Sequence, residues 1–300
     1  MLRVAWSKAY NHPLSDKHRF PMMKYELLPE QLIYEGTIKE DQLFAPGHLS
    51  TKQILRTHDA DYWRRLSSLS LSAAEMRKTG FPHSEALIER EANIAAGTVE
   101  CCSFALQYGV SFNVAGGTHH AFTDRGEGFC LLNDMAIAAS DLLANSLASK
   151  ILIIDLDVHQ GNGTAQIFTG NKRVFTLSMH GARNYPAKKE QSSLDIGLAD
   201  GTDDKLYLKL LEANLKSVLD DFQPDFAFYQ AGVDVLATDK LGRLALSQSG
   251  CKERDRLVLQ LCRECRLPVV VTMGGGYSEK ITDIVEAHAN TFRLAQDIYF

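Results

Sequence analysis

The sequence predicts an open α/β fold: a single domain over residues 1–300, with a mostly parallel sheet and helices on both faces. Three observations predict it. From residue 84 onward, short runs of Val, Ile, Leu and Phe alternate with long helical stretches. These runs lack the polar alternation of a half-exposed strand, so each is expected to be buried on both sides, as in a parallel sheet. The chain is also long and apolar enough to build such a core, with 45% hydrophobic and 23% charged residues over 300 positions.

The elements follow in order. Residues 1–80 are the irregular part, punctuated by Pro13, Pro21, Pro29 and Pro46, and Arg64-Arg65 reads as a solvated helix face. A long helix is opened by Ser84 as N-cap and closed by Gly109. Then come strand 112–115, a helix near 133–147, strand 151–155, strand 174–179 and a helix from about 203 to 221. Strand 225–230, a helix near 247–266, strand 268–273 and a last helix near 278–295 complete the pattern. No internal repeat, low-complexity tract or linker divides the chain.

Lys plus Arg is 32 and Asp plus Glu is 37, a net charge of −5. That lacks the basic excess of a stand-alone nucleic-acid binder. No run of apolar residues is long enough to span a membrane, and the N-terminus does not read as a secretory signal. Six cysteines, two of them adjacent at Cys101 and Cys102, are too few for a disulfide framework. A reduced, cytoplasmic protein is expected.

Ligands of open α/β sheets bind beyond the carboxyl ends of the strands. Strand 112–115 is followed by GGTHHAF, with His119 and His120. ILII runs into Asp155, Asp157 and His159. AGVD, after strand 225–230, ends at Asp234, and GGGY, after strand 268–273, ends at Tyr277. Four strand ends thus deliver three Asp, three His and one Tyr to one edge of the sheet.

Each segment alone has two readings. Asp155, Asp157 and His159 alternate, so in extended chain they project together and suit Zn²⁺ or Fe²⁺. Otherwise one Asp caps the next helix and the His lies in a polar loop. His119-His120 is a solvated pair or an acid–base pair whose ring partners would be Asp155 and Asn162. Tyr277 is an oxyanion donor brought in by its glycine turn, or a packed ring. Gly161 and Gly163 suggest a tight turn beside the site. The C-x-x-C at Cys262 and Cys265 lacks the second pair of a zinc ribbon, and Cys130 reads as a buried neighbour of the pocket. No G-x-S-x-G elbow is present.

Together, GGTHHAF…GFCLLND, IIDLDVHQGNG, YQAGVD and GGGY resemble the arginase-like histone deacetylase superfamily in order and spacing. The likeness extends loosely to HRFPM (18–22) and RTHDADY (56–62), and looks greatest to class IV deacetylases and their bacterial relatives. The resemblance implies Asp157, His159 and Asp234 as metal ligands and His119 and His120 as the tandem histidines, backed by Asp155 and Asn162. It implies Tyr277 as the residue polarising the acyl carbonyl. Gly128, Phe129, Tyr185 and Gly275 match substrate contacts, Gly128 through its carbonyl and Phe129 and Tyr185 as tunnel walls. It also implies structural K⁺ at an inner site (Asp155, Asp157, His159, Ser178, Met179) and an outer one (Phe168, Asn171, Val174). The Asp that class I members carry before the long helix has no counterpart near Gly80-Phe81-Pro82.

The function so implied is metal-assisted hydrolysis of acyl-lysine amides, with an acyl-lysine peptide or protein, or a small acyl amide, as partner, and with no nucleic acid or membrane. Zinc is the expected cofactor. The variants of this reading are removal of long fatty-acyl groups and hydrolysis of a small molecule such as an acetylpolyamine. A catalytically silent binding module is the reading from another class. Arginase-like ureohydrolysis needs a two-metal cluster with more Asp ligands than this set offers.

Overall fold

The computed structural model describes residues 1–15 and 18–300. Its strands are β1 (Val4–Ala5), β2 (Leu43–Phe44), β3 (Val110–Asn113), β4 (Ile151–Asp155), β5 (Val174–Gly181), β6 (Leu194–Leu198), β7 (Phe226–Gln230) and β8 (Val269–Thr272). They form one sheet in the order β2-β1-β3-β8-β7-β4-β5-β6. Every strand pairing within this sheet is parallel. The helices are α1 (Lys24–Tyr34), α2 (Thr51–Ile54), α3 (Ala60–Ser67), α4 (Ala73–Thr79), α5 (Glu85–Tyr108), α6 (Asp134–Ala144), α7 (Asn162–Ile167), α8 (Asp204–Phe222), α9 (Gln248–Glu264) and α10 (Ile281–Tyr299).

The central strands lack polar alternation because both faces are covered. Leu152, Ile154, Ala227, Tyr229, Val269 and Val271 pack in one core with Leu211 and Leu215 of α8, Val258 and Leu259 of α9 and Phe292 of α10. The intervening Ile151, Ile153, Phe226, Phe228 and Val270 pack in the other with Cys101, Cys102 and Ala105 of α5 and Ala136 and Ala139 of α6. Each such aliphatic or aromatic side chain contributes about 1.5–3 kcal/mol on full burial. A polar substitution at Ile153 would therefore break one core without touching the other.

The helix ends are set by local chemistry. Ser84 Oγ accepts from the Leu87 amide at 3.1 Å, and Gly109 ends α5 at φ 90°. That left-handed turn sends the chain straight into β3, which therefore starts at Val110, two residues before the expected 112. Ser247 caps α9, which starts at Gln248, close to the expected 247. The last helix starts at Ile281 and runs on to Tyr299, later at both ends than 278–295. β1 and β2 are two residues each, too short for any period to be read. β6 alternates exposed and half-buried residues because it is a sheet edge.

Candidate active site

The four strand ends picked out by their polar residues belong to β3, β8, β7 and β4, which are consecutive neighbours in the sheet. Parallel pairing brings all four carboxyl ends to one rim. Asp155 pairs in register with Gln230 of β7 on one side and Ser178 of β5 on the other. Asp155, Asp157, Asp234, His119, His120 and His159 are all buried.

Asp157, His159 and Asp234 form the cluster suited to a metal, with one ligand atom from each lying within 4.8 Å of the others. His159 Nδ1 sits 3.0 Å from Asp157 Oδ1 and 3.1 Å from Asp234 Oδ2. Backbone donors hold both carboxylates. The Gly275 amide donates to Asp157 Oδ2 at 2.8 Å, and the Val158 amide to Asp234 Oδ1 at 2.9 Å. Gly275 lies so close that a Cβ there would strike Asp234 Oδ2 and stand 2.7 Å from Asp157 Oδ2. Its place is thus against the carboxylates. Burial and the Asp157 carboxylate push the Asp234 acid up to about 7.

The tandem histidines carry different partners. His119 Nδ1 donates to Asp155 Oδ2 at 2.7 Å, and His120 Nδ1 to Asn162 Oδ1 at 2.6 Å. Their rings are 4.0 Å apart. Burial opposes protonation of His119, but the Asp155 and Asp157 charges outweigh it and raise its proton affinity. Burial and the neighbouring His119 and His159 hold His120 well below the usual imidazole range. Two adjacent imidazoles are thereby pushed in opposite directions, a pattern that separates acid and base roles.

Tyr277 is held by its amide, which donates to Asp239 Oδ2 at 2.6 Å, and its ring is 6.4 Å from that of His159. Burial and the Asp157 and Asp234 charges keep its phenol protonated, hence a donor. Phe129, at φ 67°, is a non-glycine residue in left-handed backbone, and its ring is 6.1 Å from that of Tyr277. Gly128, at φ 54°, precedes it, and a Cβ there would sit 2.7 Å from His120 Cδ2. Its carbonyl receives the Cys130 thiol at 3.4 Å. Tyr185 reaches His120 edge-on at 4.9 Å and donates to Glu127 Oε2 at 2.7 Å.

A chamber of about 40 Å³ lies at this rim, lined by His119, Asp157, Gly275 and Tyr277 with Phe20, Tyr25 and Ile94. It meets a wider mouth of about 320 Å³ at His120, Gly128, Phe129, His159 and Tyr277, with Tyr185 on the rim. Of the residues matched to potassium, Asp155, Ser178 and Met179 lie where β4 meets β5. Phe168, Asn171 and Val174 follow α7, their backbone linked by turn bonds from Asn171 to Phe168 and from Val174 to Asn171. Cys262 is buried, Cys265 is exposed, and all six cysteines are free.

Sequence reasoning missed several residues that position this site. Asp134, in the quoted LLND, accepts from the Gly117 and Thr118 amides and both the Thr98 and Thr118 hydroxyls, so it anchors the GGTHH loop. Gln230 donates to Asp157 Oδ2 at 3.3 Å, and a polar residue ending a buried strand was the available signal. His58, in RTHDADY, donates to the Phe122 carbonyl and accepts from the Asn133 amide, bracing the loop between them. Lys24 Nζ donates to the Gly274 carbonyl at 2.8 Å from 250 residues away, and no local pattern announces it.

The histone deacetylase domain profile matches residues 18–292. Histone deacetylase 2 of Arabidopsis thaliana is 30% identical over 280 residues, covering 89% of this chain and 72% of that one. A Picosynechococcus protein described as uncharacterized is 41% identical over 99% of both chains. Among solved structures, an HDAC homolog complexed with SAHA superposes with a TM-score of 0.83 at 25% identity, covering 99% of this chain and 84% of that one. The HD domain of HDA15 gives 0.80 at 20% identity, with 98% and 90% covered, a likeness of fold.

Proposed function

The chain belongs to the histone deacetylase family, and from that premise we propose that it hydrolyses acyl-lysine amides, with short acyl groups preferred. The observation that carries this reading is the pair of oppositely tuned histidines beside a buried Asp-His-Asp cluster at the base of one pocket. The donor set fits a divalent ion of borderline softness: two carboxylate oxygens and one imidazole, buried and convergent. Asp157, His159 and Asp234 would hold it, zinc or ferrous iron. Bound there, the ion supplies Lewis acidity toward the acyl carbonyl and toward water.

The chain's own residues do the rest. His120, its Nδ1 proton committed to Asn162, presents Nε2 as the base that takes a proton from water. His119, backed by Asp155, holds positive charge beside it and delivers a proton to the leaving amine. Tyr277 O–H donates to the developing oxyanion. The Gly128 carbonyl exchanges its weak thiol contact for the substrate amide N–H, and Phe129 and Tyr185 flank the lysine stem. The same reading gives structural potassium to Asp155, Asp157, His159, Ser178 and Met179, and to Phe168, Asn171 and Val174.

The narrow chamber of about 40 Å³ supports acetyl over a long fatty chain. The test is initial rates of the zinc-loaded protein on acetyl-lysine and myristoyl-lysine peptides of one sequence and on acetylspermidine, with a chelated control. Acetyl-lysine is expected to win by tenfold or more, about 1.4 kcal/mol of transition-state preference, and chelation to stop turnover. A myristoyl preference overturns the short-acyl reading. Metal binding without turnover on any acyl amide overturns the hydrolase.

A further inference from the structure

The mouth of the pocket is lined by Arg19, Arg77, Lys78, Arg183 and Arg243, and by no carboxylate among the described residues. All five are exposed. They come from four separate places: the segment before α1, the end of α4, the loop after β5 and the loop after β7. The chain as a whole is acidic, at −5, so this ring runs against its overall balance.

The nearby carboxylates do not cancel it. Asp200 serves two guanidinium groups at once, 3.8 Å from Arg183 and 3.4 Å from Arg243. Glu127 is taken by Arg125 at 2.9 Å and by the Tyr185 hydroxyl at 2.7 Å. Arg19 lies over the Phe129 ring at 5.5 Å. Among the described residues Arg19, Arg77 and Lys78 form no ion pair. The dipole of α4 favours cations in its last turn, which accounts for Arg77 and Lys78 locally. It does not account for Arg19, Arg183 and Arg243 meeting them at one opening.

We propose that this ring selects the carrier of the scissile amide: an acidic peptide segment, with Asp or Glu within two residues of the acyl-lysine. The inference rests on the acyl-lysine reading above and names its substrate class. A flanking residue advances only about 3.3–3.6 Å along extended chain, so side chains next to the lysine fall on the ring while the acyl group enters the chamber. A concave opening of one sign raises the local concentration of the opposite sign. The same field repels a polycationic carrier such as an acetylpolyamine.

Three peptides with one central acetyl-lysine, flanked on both sides by two Glu, two Gln or two Lys, are compared on the zinc-loaded protein. In about 0.05 M salt the Glu peptide is expected to exceed the Lys peptide by about tenfold or more in kcat/KM, mostly through KM. In about 1 M salt, where the screening length falls to about 3 Å, the ratio is expected to shrink below about threefold. Arg77→Glu with Lys78→Glu should lower the Glu-to-Lys ratio, a quantity independent of each variant's basal rate. Fluorescence anisotropy of the same peptides gives the binding ratio whether or not the amide is cut. A Glu preference in binding with no cleavage supports the ring and sinks the hydrolase reading. Equal or Lys-favouring ratios at low salt, by rate or by binding, overturn the ring.

Discussion

Two buried groups of charge hang on the same two strands and are answered differently. Arg254 and Asp255, at the centre of α9, form an ion pair at 2.7 Å with no exposure. Arg254 Nη1 donates to the Gly232 carbonyl at 2.6 Å and the Leu156 carbonyl at 3.3 Å. Asp255 accepts from the Tyr229 hydroxyl at 2.5 Å and the Thr291 hydroxyl at 2.7 Å. This group is closed: each charge meets its opposite, and Arg254 Nη1 clamps backbone. The other group is Asp157, His159 and Asp234, one to three residues beyond the clamped Leu156 and Gly232. There two carboxylates share one imidazole, and the cluster opens on a pocket. Both groups are buried, but their charge balance differs. A buried charge short of a partner costs stability and persists where chemistry uses it, so the open cluster reads as a site and the closed one as its mounting.

The largest effect should come from breaking the mounting. Asp255→Ala leaves the Arg254 guanidinium buried and unpaired, which typically costs about 3–5 kcal/mol. Urea unfolding of the metal-free protein should show that loss. A midpoint near wild type would mean that Arg254 finds water or another acceptor, and the contrast between closed and open clusters would fail. Arg254→Met keeps bulk but leaves the Asp255 carboxylate buried without its counter-charge, so it should cost stability on the same scale and also loosen both ligand loops, lowering zinc affinity with all three donors intact.

Tyr277→Phe tests the opposite side of the comparison. Removing one oxyanion donor typically costs about 10²–10³ in rate. Zinc content and unfolding midpoint should stay near wild type, since the hydroxyl supports neither cluster. Wild-type turnover would remove Tyr277 from the chemistry.

The open cluster was legible in the sequence and the closed one was not, for a physical reason. Ligands at a strand end must project together from a short extended segment, so Asp155, Asp157 and His159 sit within five residues and the spacing can be read. Arg254 and Asp255 lie in KERDR, which on a helix looks like solvated charge; their burial is decided by strands over twenty residues away. Lys24, whose Nζ reaches the Gly274 carbonyl from 250 residues away, is long-range in the same sense. The central strands were legible because they are buried on both faces, as ILIID shows by matching β4. The short strands of the rim, β1 and β2, take their identity from pairing with β3 and with each other rather than from their own residues.

The smallest effect, and the one that separates the two clusters most cleanly, concerns Asp234. In the metal-free fold burial and Asp157 hold this acid up at about 7, above the 3.8 of a free aspartate. Between those values the unfolded chain has released the proton and the folded chain has kept it. Stability from this group is therefore fully present below about 4 and is lost as pH rises toward 7. Asp234→Asn removes the carboxylate that must ionise under cost. The metal-free variant should be more stable than wild type at pH 8, by about 1 kcal/mol or more after relaxation, with a shallower fall in stability from pH 5 to pH 8. The same change should cut bound zinc, measured by elemental analysis. At the closed cluster, Asp255→Asn should do the reverse, destabilising at pH 8 because it removes the counter-charge of Arg254. If Asp234→Asn instead weakens the metal-free fold as Asp255→Asn does, the Asp157–His159–Asp234 group is a second structural clamp, and its charge imbalance has no functional meaning.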